Sequence, residues 1–206
     1  MKKHFKIWNM SLLFIVAGVL AGCGQSEKAE GNGSAEEIND TEVIQQAISE
    51  ELDVEAYVPK HDDYPATFAA VEYHFMLEGG EEVVRDEPKQ ATVTYQESTE
   101  ELFEGIDVEA WEEENRSEVL YGDFYLSSSA VTLNIFPEGG ATLSGSELIE
   151  IAGQEVQYQF IENEADGSVI MFFEAGGVGY SLYYLLIDGQ TEEDAKGFAQ
   201  EIIDYY

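Results

Sequence analysis

Catalysis needs a nucleophile beside a base, a set of metal ligands or a cradle for a cofactor. The 206-residue chain offers three histidines, His4, His61 and His74, and a single cysteine, Cys23. Ser144 stands in Leu143-Ser144-Gly145-Ser146, without the Gly-x-Ser-x-Gly elbow that exposes a serine nucleophile. His61-Asp62-Asp63 puts three donors in a row, but adjacent side chains point apart and do not converge on one ion. Neither an Asp-x-Asp-x-Asp-Gly loop nor a His-Glu-x-x-His pair occurs, so the stretch between Pro59 and Pro65 reads as a polar loop. His74 falls in a strand pattern on the face opposite Tyr73 and Phe75, as a surface or hydrogen-bonded polar residue. Paired carboxylates can act as acid and base on a glycosidic bond. Glu112-Glu113-Glu114 beside Trp111 is the most conspicuous acidic run, and it reads as a solvated loop with an apolar anchor. Gly176, Gly177 and Gly179 lack the third glycine and the following helix of a dinucleotide fingerprint and fit hairpin geometry instead. These residues predict no catalytic set, no metal site and no cofactor.

Charge narrows the partners. The chain has 43 acidic and 9 basic residues, a net of −34. Three of the basic residues, Lys2, Lys3 and Lys6, and none of the acidic ones precede Cys23. From Cys23 on, 43 acidic face 6 basic side chains, a net of −37. Such a surface repels nucleic-acid backbones and anionic lipid headgroups alike. Its physical use is hydration and solubility, and it points to a saline or alkaline exterior. At 44% hydrophobic and 12% aromatic residues, most of the chain is still expected to fold.

The first 22 residues have the order of an export signal. Lys2, Lys3 and Lys6 are followed by an apolar run from about Ile7 to Leu20, interrupted by Asn9 and Ser11 and too short for a permanent span. The segment ends Leu20-Ala21-Gly22-Cys23, which resembles the lipobox of bacterial lipoproteins. The resemblance implies removal of residues 1–22 and a diacylglyceryl thioether on Cys23, which becomes the new N-terminus. It places the protein on the extracytoplasmic face of the cell membrane. Two acyl chains give stable anchoring where one is marginal. Residues 23–37 follow as a Gly-, Ser- and Glu-rich linker with no aromatic residue. As a coil its 14 residues after the cysteine would span roughly 20 Å.

Residues 38–206 read as one α+β domain. Val43, Ile44, Ala47, Ile48 and Leu52 recur at helical spacing over 40–53, with Asn39 or Asp40 as N-cap. Strand patterns follow over 67–76, with Ala69, Val71, Tyr73 and Phe75 on one face, and over 91–96, with Ala91, Val93 and Tyr95 inward. Glu78-Gly79-Gly80-Glu81 reads as the turn between them. Ser98 and Glu101 form a capping-box pattern for a short helix with Leu102 and Phe103. Further strands are expected over 119–126, 130–136, 148–151, 154–161, 168–174 and 178–187, with hairpin signals at Asp166-Gly167 and Gly176-Gly177. The run from Val178 to Ile187 is apolar on both faces, which predicts a central strand covered on both sides. Thr191 and Asp194 start a last helix with Ala195, Phe198, Ala199, Ile202, Ile203 and Tyr206 on one stripe. The expected architecture is an antiparallel β-sheet of about six to eight strands with an N-terminal and a C-terminal helix packed on one face. The part from Leu148 on, through Ile151-Ala152-Gly153-Gln154-Glu155, its later tyrosine strand and its Thr-initiated helix, resembles uncharacterised domains of Gram-positive extracytoplasmic lipoproteins.

The late aromatic residues, Tyr158, Phe160, Phe172, Phe173, Tyr180, Tyr183 and Tyr184, read first as core, and otherwise as a sheet face open to a ligand or partner. The function this supports is a membrane-anchored, non-enzymatic binding or interaction module, with an envelope protein or a small apolar ligand as partner. The alternatives are a carrier that shelters an acyl chain between sheet and helix, or a carboxylate-based hydrolase of envelope polymers.

Overall fold

The computed structural model describes residues 40–78, 81–139, 142–162 and 167–206. The leader, Cys23, the linker and the Gly79-Gly80 and Asp166 turn positions lie outside the described residues.

The first helix, α1 (Thr41–Leu52), starts where the Asp40 side chain accepts the Val43 N–H, and ends at Asp53 in the left-handed region. Ile44, Ile48 and Leu52, four residues apart, form its buried edge. Residues 54–65 then cross the molecule as a strap to β1 (Ala66–Glu78). There follow β2 (Glu81–Gln96), α2 (Val108–Asn115), β3 (Ser117–Gly122), β4 (Ser129–Phe136), β5 (Glu147–Ile151), β6 (Gln154–Glu162), β7 (Gly167–Ala175), β8 (Val178–Leu186) and α3 (Glu192–Tyr205). The eight strands form one antiparallel sheet in the order β3-β1-β2-β4-β8-β7-β6-β5. After β4 the chain goes to the far edge and meanders back, so that β8 lands beside β4.

The register places one side chain from each of six neighbouring strands in line. Ala69, Val93, Leu133, Leu182, Met171 and Tyr158 form one row of the inner face. All of them belong to one continuous core cluster. Both α1 and α3 cover this face: Ile44, Ile48 and Leu52 from one, Ala195, Phe198, Ala199 and Ile202 from the other. The α+β class, the antiparallel sheet and the two packed terminal helices are as the sequence predicts, with eight strands. The start of α3 is the expected capping box, in which Thr191 and Asp194 satisfy each other's backbone N–H. Gly176 and Gly177 turn β7 into β8 with φ of 59° and 85°, the paired positive values of a two-residue hairpin.

Several expectations are corrected. No helix forms at Ser98–Phe103. Ser98 Oγ accepts the Glu100 N–H in a local turn, and Leu102 makes a bridge to Tyr125 instead. The helix in this region is α2, capped by Asp107, and it contains the acidic run read as a loop. The anchor is right: Trp111 packs edge-on against Phe68 and Phe124 at centroid distances of 5.6 and 5.1 Å. Strand β3 ends at Gly122, four residues early; a Cβ there would overlap the Thr67 carbonyl of β1. Strand β2 begins ten residues early, because β1 recruits its charged half through a long hairpin. Two irregularities of register, on either side of Tyr73, break the alternation, and Phe75 is exposed beneath the Arg116 guanidinium rather than inward. Tyr206 is also exposed rather than part of the buried stripe.

Candidate functional site

Two places carry the residues singled out by the sequence. The first is where the strap meets β8 and the head of α3. His61 Nδ1 accepts two backbone N–H groups, from Asp63 and Tyr64, each at 3.1 Å. Its Nε2 lies 2.7 Å from the Tyr184 hydroxyl, which donates to Gln190 Oε1 at 2.5 Å. The Gln190 amide donates in turn to the Asp63 carboxylate at 2.8 Å. Tyr64, Tyr95, Tyr184 and Phe198 surround the imidazole, with centroids 4.6–6.5 Å away. Burial holds the His61 pKa below the ordinary histidine value, against the opposing pull of Asp63, Asp62 and Asp194. Burial likewise pushes the Tyr184 hydroxyl up, so it stays protonated. A cleft of about 290 Å³ opens beside this network, lined by Lys60, Asp62, Glu193 and Glu201 among others. It holds no activated nucleophile. No group of three or more metal-capable side chains occurs among the described residues.

More tyrosines fasten the strap nearby. Tyr180 Oη accepts the Tyr57 N–H at 3.0 Å and lies 2.7 Å from Tyr206 Oη. Tyr206 donates to the Glu55 carbonyl, and Tyr95 to the Pro59 carbonyl at 2.8 Å. Tyr57 stacks on Tyr205 and donates to Glu201. The strap is thus bound along its length to β2, β8 and α3.

The second place is the outer face of the sheet. The late aromatics divide by parity with one exception: Tyr158, Phe173, Tyr180 and Tyr184 point into the core and Phe172 and Tyr183 point outward, whereas Phe160, on the inner parity near the end of β6, is 42% exposed. One outer row runs Leu148, Gln157, Phe172, Ser181, Asn134 and Thr92; the next runs Gln159, Ile170, Tyr183, Thr132 and Thr94. Neither row contains a charged residue, on a chain with 43 acidic ones. Carboxylates return only at the next row, with Glu150 and Glu174. At the β1 end α2 covers this face through Trp111 and Phe68. Farther along, Tyr183 is 38% and Leu148 65% exposed. Strand β8 is therefore central, as expected, but among the described residues helices cover its inner side only, a correction to the two-sided cover predicted.

The remaining candidates are dispersed. His74 is exposed at a groove beside Pro88 and Lys89. Glu112 accepts the Val119 N–H at 2.8 Å and ties α2 to β3. No acidic side chain is buried among the described residues; the buried polar ones are Thr41, Thr67, Gln96, Ser168 and Ser181. Gln190, which completes the histidine network, is not signalled by the sequence, and Tyr184 reads there as core or open sheet face rather than as a partner of His61. His61 and Asp63, which they meet, lie more than a hundred positions away, and no local pattern signals these contacts. Searches against family models, curated proteins and solved structures find no match to this chain.

Proposed function

We propose that the protein is an extracytoplasmic lipoprotein, tethered to the cell membrane through lipidated Cys23. Its folded domain is a non-enzymatic interaction module. The tether rests on the order of basic residues, apolar run and Leu20-Ala21-Gly22-Cys23 in the sequence. No helix among the described residues is long and apolar enough to cross a membrane.

The observation that carries the domain's role is the uncharged outer face over β6, β7, β8 and β4. Burying charge without a partner is costly, and these rows let another surface approach without desolvating a carboxylate. Amide and hydroxyl side chains alternate with Phe172, Ile170 and Tyr183 there, the mixture of apolar area and hydrogen-bonding groups found where proteins meet. The core under α3, in which Ala195, Ala199, Ile202, Met171 and Leu182 are all fully buried in one cluster, favours this reading over an acyl carrier. The absence of a buried carboxylate among the described residues favours it over a glycoside hydrolase.

Photocrosslinking on intact cells tests the proposal. A photoreactive side chain at Tyr183 is expected to capture one discrete partner, and the same group at Glu109 of α2 is not. Equal, diffuse labelling from both positions would refute the role of the outer face.

A further inference from the structure

The hydrogen bonds around His61 have one consistent direction. The Asp63 carboxylate can only accept, so the Gln190 amide nitrogen faces it and Gln190 Oε1 faces Tyr184. The single Tyr184 proton goes to that oxygen, which leaves the phenol oxygen to accept from His61 Nε2–H. Nδ1 must then be bare, and it is: the Asp63 and Tyr64 N–H groups both point at it. The circuit begins at the Asp63 backbone and closes on the Asp63 carboxylate. It joins the strap to β8 and to the turn before α3.

We propose that His61 is a proton-operated latch: the neutral Nε2–H ring holds the strap closed, and protonation of Nδ1 releases it. A proton on Nδ1 would face two N–H donors that have no other acceptor in this geometry, so the ring must leave or the turn must open. The carboxylates facing the ring work in the other direction, and the ammonium beside them, on Lys60, does not. The titratable groups facing the ring are Lys60, Asp62, Asp63 and Tyr64 from the strap, Glu193, Asp194 and Glu201 from α3, and, among the described residues, Tyr184 from β8 and Tyr95 from β2. The carboxylates attract the proton, whereas burial and the occupied Nδ1 resist it; the lowered pKa of the ring says that resistance wins. An open strap, with its histidine in water, takes the proton near the ordinary value of about 6.5. Acidification therefore favours the open form.

Hydrogen exchange on the full chain tests this. Between about pH 7.5 and about pH 5.5, after correction for intrinsic rates, amides of residues 61–64 should lose roughly tenfold protection, the factor for an open state titrating at 6.5. His61→Asn keeps an acceptor for the turn but cannot be protonated, and its protection should not change with pH. An equal loss in His61→Asn, or no loss in the wild type, would overturn the latch. Imidazole ¹⁵N shifts at neutral pH give a test without substitution: the Nε2–H tautomer is expected, and an Nδ1–H or charged ring would equally overturn it.

Discussion

The Tyr180 hydroxyl is the point at which the fastening of the strap can be measured. Tyr206 spends its proton on the Glu55 carbonyl, so Tyr180 donates to Tyr206 and uses its own oxygen for the Tyr57 N–H. Tyr180→Phe keeps the ring, which stacks on Phe173 at 5.5 Å, and removes both bonds. The Tyr57 N–H sits in a half-buried segment and would lose its acceptor. Leaving such a donor unpaired costs about 1–3 kcal/mol when fully buried, and the partial exposure puts the expected loss at about 1–2 kcal/mol. For a domain of this size that lowers the melting temperature by roughly 2–8 °C. Tyr206→Phe frees only an exposed carbonyl, which water can satisfy, and should cost less than about 0.5 kcal/mol beyond the lost Tyr180 bond. Chemical denaturation of the two single variants and the double variant gives the coupling directly. The double variant should then be no less stable than the sum of the singles, since the two share a bond. A Tyr180→Phe variant as stable as the wild type would refute the assigned role, because it would mean that water serves the Tyr57 N–H equally well.

Other outcomes follow from the same geometry. Ile202→Ala, at a fully buried position under α3, should cost about 2–5 kcal/mol in denaturant unfolding, since the sheet beneath cannot collapse into the void; a loss well below that would mean that α3 packs loosely. Thr191→Ala should cost about 1 kcal/mol by removing one half of the capping box, and Thr191→Ser should restore most of it. Between about 0.01 M and about 1 M NaCl the screening length falls from about 30 Å to about 3 Å, so a chain of this charge should melt at a higher temperature in the high salt. A melting temperature that does not rise would remove self-repulsion as a factor in its stability.

The sequence made the periodic and capped elements legible. Helix α3 has a capping pair and an unbroken stripe, and β7 and β8 are joined by two glycines that permit one kind of turn. What stayed hidden is held by distant partners. The first half of β2, Glu81 to Gln90, is charged and has no alternation; it is a strand because β1 supplies its hydrogen bonds. Helix α2 shows only one large anchor, Trp111, so its pattern is too weak to separate from a loop, while the capping-like pair at Ser98 and Glu101 had no apolar stripe to follow it. His61 read as part of a polar loop, which it is, but its ring is defined by Tyr184 and Phe198 across the molecule. The uncharged outer face was visible only as alternate residues of several strands, and the register was needed to bring them together.

The proposed tether at Cys23 can be read from the intact mass of the protein isolated from membranes. The expected mass is that of a chain that begins at Cys23 and carries a thioether-linked diacylglyceryl group. A bare Cys23, or a first residue elsewhere, would contradict it and leave the folded domain with no attachment to the membrane.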